Sequence, residues 1–418
     1  MKLLLLMIFL MPFETNPYLK ISSSFLGIFQ DFTMIKALGL IGLGYAGMKM
    51  ASGQVQDLSR SRQAQLFMLF FAGVLIAGAF SGSGFLAISK YLAFIAFMPF
   101  VYAAVEDHRD LRKLIYAIGL TFVVVFPYAV RQMQRYGARL GTGLSETNYF
   151  AANLVLVIPL TFAIAATQTD PKRRKLWIGA GLVLVLALLL TASRGGFLGL
   201  MVAGVVFAYR RKGLTGAIGL VAALLIAAMV LPTGLADRVM ATLGDASGQN
   251  QPAGLEASNK AHVGLFWAAI EMIRSAPLTG VGPYNFKTYS LEYSGLQQAY
   301  IAHNTYLELA AELGLPLLAV FLLLVMRTFR VLGRATRLTG SPEARELATW
   351  AEGLRSGLTG FMVSGAFISA QYEKMFWVVV FTTIVIERMS RAYATQTETA
   401  PPPEPVTFGR PPLPAAWS

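Results

Sequence analysis

Four short segments of this chain carry residues whose types and spacing suit work on an anion. The first is Arg139-Leu140-Gly141-Thr142-Gly143, followed by Glu146-Thr147-Asn148 and an apolar run opening with Tyr149-Phe150. Glycines let backbone N–H groups approach a negative charge, and Asn148 can cap a helix whose N-terminus favours one. Taken alone, it is a capped helix start with flexible glycines. The second is Ser193-Arg194-Gly195-Gly196, at a junction between two apolar runs with almost no loop between them. An arginine held there suits forked hydrogen bonding to a diphosphate. The plainer alternative is an arginine snorkelling to lipid headgroups, for which a Gly-Gly pair is an odd neighbour.

The third segment, Pro277-Leu278-Thr279-Gly280-Val281-Gly282-Pro283-Tyr284-Asn285-Phe286, reads as turn-rich. Its Gly-x-Gly is no nucleotide fingerprint, because no strand-turn-helix unit surrounds it, and no cofactor is expected. The fourth, His303-Asn304-Thr305-Tyr306-Leu307-Glu308, runs into the apolar stretch from Leu309 to Leu324. Asn304, Glu308 and Glu312 fall at i, i+4 and i+8, which stacks three polar groups on one helical face. His303 suits a general base oriented by a neighbouring carboxylate or amide, against the plainer reading of a satisfied interfacial histidine. Of the other two histidines, His108 lies among basic residues, and His262 sits beside an amphipathic stretch with no cluster around it. With no cysteine, no D-x-D-like pair and no paired histidines in these loops, no metal site is expected, and arginines must neutralise any phosphate leaving group.

The elements that must position these residues are membrane helices. The chain has 418 residues, 55% hydrophobic and 14% charged, with a mean hydropathy of +0.57. A soluble domain carries about 25% charged residues. Long runs such as Leu176 to Thr191 lack the alternation of barrel strands. The expectation is an all-α polytopic membrane protein of about 12 transmembrane helices. These fall near residues 2–13, 32–50, 64–80, 85–105, 111–130, 149–167, 176–192, 195–209, 214–232, 303–326, 350–370 and 375–389. The chain divides into N-terminal membrane helices (1–232), a long loop (233–302) containing an amphipathic helix over Val263 to Ser275, C-terminal membrane helices (303–390) and a Pro-rich tail (391–418) that reads as disordered. Within the long loop, Gly244 to Gly254 is rich in Gly, Gln and Asn and reads as loop.

The net charge of +13 would suggest nucleic acid in a soluble protein. Here most of it falls in alternate short loops, around Lys49 to Arg62, Arg109 to Lys113, Lys172 to Lys175, Arg210 to Lys212 and Arg327 to Arg345. By the positive-inside rule those loops and both termini are cytoplasmic, and no nucleic-acid partner is implied. The minority of cations left on the other face, Arg131, Arg135, Arg139, Arg194, Lys260, Arg274 and Lys287, suggests an anionic partner there.

Taken together the segments resemble the O-antigen ligase/polymerase superfamily of bacterial inner-membrane glycosyltransferases. The matching features are Arg139-x-Gly-Thr...Thr-Asn148, Ser193-Arg194-Gly195-Gly196, Pro277-x-x-Gly-Val-Gly...Asn285-Phe286, and His303-Asn304 followed by Glu312-x-Gly314, in that order over residues 30–390. The resemblance implies a metal-independent transfer of a glycan from undecaprenyl diphosphate to an acceptor hydroxyl at the periplasmic face of the inner membrane. It implies Arg139 and Arg194 on the diphosphate, His303 as the base, and Asn148, Asn304 and Glu308 as support. Family members often carry an arginine shortly before the position of Trp267. This chain offers Lys260 and His262 there, which makes Lys260 the expected substitute as a phosphate contact, without the bidentate fork of an arginine.

Within that superfamily a ligase passes the glycan to lipid A core, a polymerase extends another undecaprenyl-linked chain, and a third kind glycosylates protein. The ligase is the first expectation and the polymerase the second. A lipid or polysaccharide transporter is the alternative from another class. It would pair ionisable groups at the bilayer midplane, and Lys90 and Arg355 are the residues that speak for it. A membrane scaffold would not need His303 or Arg194.

Overall fold

The computed structural model describes residues 1–14, 17–25, 29–54, 58–81, 84–136, 139–141, 147–230 and 253–399. Within it the chain forms thirteen α-helices and one two-stranded antiparallel hairpin. The helices are α1 (Lys2–Leu10), α2 (Met34–Ala51), α3 (Arg62–Ser81), α4 (Gly84–Ala104), α5 (His108–Tyr136), α6 (Thr147–Thr167), α7 (Pro171–Leu190), α8 (Arg194–Val230), α9 (Ala253–Ser275), α10 (Phe286–Ser294), α11 (Thr305–Ala335), α12 (Pro342–Ser364) and α13 (Lys374–Thr399). Of these, α3, α5, α6, α8 and α11 are long and apolar enough to cross a membrane, while α1 and the stretch Ala93–Ala104 are shorter apolar helices.

Three findings depart from the sequence expectation. The all-α reading omits the hairpin β1 (Lys20–Phe25) and β2 (Phe29–Thr33), whose strands of six and five residues are too short for a periodicity to register. The helix α13 runs to Thr399, so the start of the segment expected to be disordered is helical; residues 400–418 lie outside the described residues. The long loop, expected to hold one amphipathic helix, holds α9 and α10, which build a small core of their own from Leu265, Ala268, Ala269, Met272 and Phe286 with Ala302 and Ala311. In that arrangement Phe266 and Trp267 face outward. Gly254, at the end of the Gly-rich stretch read as loop, belongs to α9, and residues 244–252 lie outside the described residues.

Polar contacts sort the two ends of the bundle. At one end Arg112 Nη2 meets Glu346 Oε2 at 2.5 Å. His108 bridges Glu346 and Tyr393, each at 2.8 Å, while its ring stacks on Trp350. Lys49 pairs with Glu106, Arg327 with Glu387, and Arg211 with Glu352 at 3.2 Å. Basic loops expected on one side are thus gathered at one end, and His108 is a structural member of that network. Arg355 lies beside Gly333, close to this basic end and not at the middle of the bundle. The Lys90 side chain lies outside the described residues.

The opposite end is held by close helix packing. A Cβ at Gly357 on α12 would lie 2.1 Å from the Leu156 carbonyl oxygen on α6, and one at Gly199 on α8 would lie 2.7 Å from the Gly360 carbonyl oxygen. Small residues at these crossings let α6, α8 and α12 approach backbone to backbone, as membrane helices do in the absence of a hydrophobic force between them. That contact fixes the positions of the helix ends beyond it.

Candidate active site

At the end away from the basic loops, α6, α8 and α11 begin close together, which presents the positive ends of three helix dipoles. The chain before α6 docks on the end of α7: Leu140 N donates to the Leu190 carbonyl at 3.2 Å. Arg139 Nε donates to the Thr191 carbonyl at 2.7 Å and Nη2 to Asn148 Oδ1 at 3.0 Å, which fixes the plane of the guanidinium. Between α7 and α8 only Thr191-Ala192-Ser193 intervenes. Ser193 Oγ accepts from Gly196 N at 3.3 Å and so caps α8, leaving Arg194 at its first position. Arg139, Asn148 and Arg194 are thus arranged around one tight turn. Thr142, Gly143 and Glu146 lie outside the described residues.

The histidine segment reaches the same place through the connection between α12 and α13. Ser364 Oγ donates to the Gly195 carbonyl at 3.1 Å, and a Cβ at Gly195 would lie 2.9 Å from Cβ of Phe367. On the other side of that connection, Asn304 Nδ2 donates to the Ala366 carbonyl at 3.1 Å, Thr305 N to the Gly365 carbonyl at 2.8 Å, and Thr305 Oγ1 to the Ile368 carbonyl at 2.7 Å. Gly195, next to Arg194, and Asn304 with Thr305, next to His303, therefore hold one short segment between them. Asn304 also caps α11, accepting from Tyr306 N and Leu307 N. The His262 ring stands edge-on to His303 with centroids 5.3 Å apart, which corrects the reading of His262 as isolated. Lys260 lies two residues earlier on α9, its side chain outside those described.

The polar stack of Asn304, Glu308 and Glu312 does not descend a continuous membrane helix. At Gly314 (φ 80°, ψ 165°) α11 is broken, and Pro316 follows. The proline has no N–H for the Glu312 carbonyl, and the break turns Leu315 N away from the Ala311 carbonyl. The third sequence segment supplies the missing partners: Val281 N donates to the Ala311 carbonyl at 2.8 Å, Gly282 N to the Glu312 carbonyl at 2.9 Å, and Leu315 N to the Pro277 carbonyl at 2.9 Å. The stretch that reads as a plain turn is thus a splint across a helix break. Both acids are buried and engaged by protein. Glu308 accepts from Ala302 N at 2.9 Å, from Gln371 Nε2 at 2.7 Å and from Ser369; Glu312 accepts from Phe286 N at 3.2 Å and Tyr372 Oη at 3.0 Å. These bonds tie α11 to the segments on either side of it, Glu308 to Ala302 beside His303 and Glu312 to the start of α10.

Among the described residues, the non-glycine residues with left-handed backbone are Ala192 (φ 47°), Tyr284 (φ 66°) and His303 (φ 50°). Such conformations cost about 1–3 kcal/mol each and persist where the surroundings over-determine them. All three lie within or directly beside the four segments singled out by sequence.

Residues 179–322 match the family model described as O-antigen ligase. Over that region, about a third of its length, the chain is similar to the O-antigen ligase superfamily. No curated protein matches it. The matched region runs from α7 past the break in α11 and holds Arg194, Lys260, His303, Asn304 and Glu308; Arg139 and Asn148 lie before it, with Arg139 bonded to Thr191 inside it. Members of that family are glycosyltransferase-like enzymes, and the match together with the long apolar helices supports a multi-pass membrane protein.

From sequence the segment from Ser364 to Lys374 did not register as part of the site. Its signal was present as Ser369, Gln371, Tyr372, Glu373 and Lys374 between two apolar runs. It was hidden because boundary assignment by hydropathy reduces such a connection to a turn. Tyr372 stacks on Tyr284 with centroids 4.6 Å apart. Glu373 accepts from Asn153 Nδ2 at 2.5 Å.

Burial pushes the Glu373 carboxyl up to about 7, with the Asn153 hydrogen bond working the other way. Its value in the unfolded chain is near 4.5. The folded state therefore binds more protons than the unfolded state between those two values, so this group makes stability fall as pH rises through that window and stay level above it. Around it stand the Glu14–Lys374 ion pair, Tyr149 and Tyr372. Melting curves across this window should show that slope in the wild-type protein and its loss in Glu373→Gln; identical slopes would mean that Glu373 titrates as an ordinary carboxyl.

Proposed function

We propose that this protein transfers a glycan from undecaprenyl diphosphate to an acceptor hydroxyl, as an O-antigen ligase acting on lipid A core at the periplasmic face of the bacterial inner membrane. The supporting observation is the shared clasp. Two arginines stand at converging helix N-termini, and a histidine is held to the same short segment from its other side.

The acceptor oxygen attacks the anomeric carbon, the new glycosidic C–O bond forms, and the bond from that carbon to the diphosphate oxygen breaks. The hydroxyl proton passes to the His303 imidazole. The leaving oxygen keeps the electron pair, and its charge develops against Arg139 and Arg194 with the dipoles of α6 and α8 behind them. Glu308 and Asn304 hold the backbone on which His303 rides, and Lys260 with His262 approaches from α9. The reaction takes no metal and no cofactor in this scheme. The about 12 crossings of this reading rest on the apolar windows, and the cytoplasmic termini on the charge pattern, with the basic end inside.

Deletion of the gene, followed by gel analysis of surface glycans and of the undecaprenyl-linked pool, tests the reading. A ligase leaves lipid A core uncapped while lipid-linked glycan accumulates. Single-unit capping with no ladder would mean a polymerase, and an unchanged glycan profile would overturn glycan transfer altogether.

A further inference from the structure

At the basic end of the bundle, away from the arginine and histidine segments, α6, α7 and α8 enclose a cavity of about 410 Å³. It exists because α8 doubles back. Gly213 (φ 65°, ψ −160°) breaks the helix, and a Cβ at Gly204 in its first half would lie 2.6 Å from Leu220 Cδ2 in its second. In a continuous helix those two residues would be about 24 Å apart. Phe162 of α6, Ile178 and Val185 of α7, and Leu200, Leu220 and Leu224 from the two halves of α8 wall the space between them. Arg174, Arg211 and Lys212 line the same cavity. We propose that it binds an anionic phospholipid, with one acyl chain lying between α6, α7 and α8 and the phosphate diester on the three cations.

The charge around the cavity is complementary to such a headgroup. Arg211 is held by Glu352 at 3.2 Å and by the Phe207 ring, whose centroid is 4.8 Å from its guanidinium carbon. Among the described residues no carboxylate pairs with Arg174 or Lys212; Asp170, at the start of the same helix as Arg174, takes Arg173 at 3.7 Å. Three cations against one acid leave positive charge over, which suits a phosphate diester of net negative charge. A zwitterionic choline headgroup would bring an ammonium into the same field.

The depth is that of a lipid tail. Arg174 stands in the first turn of α7, and Arg211 and Lys212 in the last turn before the break in α8, so the cations share one end of the cavity. From Arg174 to Val185 on α7, and from Leu200 to Arg211 on α8, each helix rises about 16 Å, close to half of the about 30 Å hydrocarbon core and hence to one leaflet. The apolar walls offer water no partners, and at about 30 Å³ for a water-sized group the space takes on the order of a dozen methylenes. Free phosphate would meet the cations and leave these walls uncovered. Ile178 lines the cavity and is itself 37% exposed, so the cavity is open on the α7 side and a chain can enter from the surrounding lipid. A lipid seated there braces the fold-back of α8, the helix that begins with Arg194 at the opposite end. The transfer step does not draw on this site, and failure of either leaves the other standing.

The test uses the full chain in nanodiscs of phosphatidylcholine, with or without a minor share of phosphatidylglycerol. Native mass spectrometry of protein released from the mixed discs should find phosphatidylglycerol retained over phosphatidylcholine by about tenfold or more, and its presence should raise the melting temperature. Arg174→Gln/Lys212→Gln changes two exposed side chains. It should abolish both the preference and the melting shift, with melting in pure phosphatidylcholine unchanged. Lys172→Gln/Lys175→Gln removes the same charge from the same helix start outside the cavity and should behave as wild type. Ile178→Trp, which fills the cavity from its open side, should cut retention of phosphatidylglycerol with every cation in place; should it fail to fold, the two double variants decide between them. Equal retention of the two lipids, equal losses in the two double variants, or a melting shift reproduced by inorganic phosphate in pure phosphatidylcholine overturns the lipid site.

Discussion

Replacing His303 with alanine should reduce glycan transfer by a factor of about 10² to 10⁴, the range contributed by a positioned general base. Arg194→Ala should reduce it by about 10² to 10³, the loss seen when one donor to a developing negative charge is removed. The losses should appear in the rate at saturating substrate, because both groups act on charge that develops as the diphosphate leaves. Arg194→Lys separates charge from geometry: a lysine keeps the cation but not the fork, so partial recovery is expected. Both side chains are partly exposed at a helix end, so membrane insertion and melting should be unchanged. Initial rates with purified lipid-linked glycan and acceptor, at matched protein levels, are the measurement. Full activity in either alanine variant refutes its assigned role.

Gly280→Val should be as damaging without touching a charge. Gly280 has φ 69°, and a Cβ there would lie 2.3 Å from the carbonyl carbon and oxygen of Glu312 and 2.5 Å from Leu313 N. These are backbone atoms of the broken helix, so no side chain can yield to make room. A β-branched residue at positive φ adds strain of about 1–3 kcal/mol, and the splinting bonds from Val281 and Gly282 would part as the loop moves. The Ala311 and Glu312 carbonyls would then be buried without donors. Limited proteolysis should show new cleavage in α9 and α10 while the remaining helices stay protected, together with loss of transfer. A variant with wild-type cleavage and rate would show that the splint does not hold the site.

The particular residues show what sequence can and cannot convey. Helix positions were legible because apolar windows of membrane length are long and repetitive; the windows overlap observed helices, two of them falling on α8, and five of the described helices are long and apolar enough to cross a membrane. Arg194 stood out because a cation between two apolar runs has few structural reasons to be there. Arg139 and Asn148 were found separately, but their mutual hydrogen bond spans a stretch whose path sequence does not give. His303 was visible as a lone histidine at a helix start. That it shares a clasped segment with Arg194 depends on Ser364, Gly365 and Ala366, more than fifty residues away and unremarkable in type. The splint was illegible for the same reason: Gly280 reads as a local turn and Gly314 with Pro316 as a bend in the helix beyond the acids, and only the contact between their two segments explains both. His262 likewise acquires a neighbour through the path of α9, which no periodicity encodes.

The break at Gly314 also sets a height. Beyond it, Leu315–Ala335 rises about 31 Å at 1.5 Å per residue, close to the about 30 Å thickness of a bilayer's hydrocarbon core. Were the helix continuous, its first turns would have to tilt into that core or lift the lower end out of it. On the proposed orientation the lower piece of the broken helix would fill the slab, and the segment from Thr305 to Leu313 would lie at headgroup level, which would bring His303 to the depth of a lipid-borne phosphate. A substrate anchored by its tail would then meet the histidine by sliding sideways, with neither partner leaving its own layer.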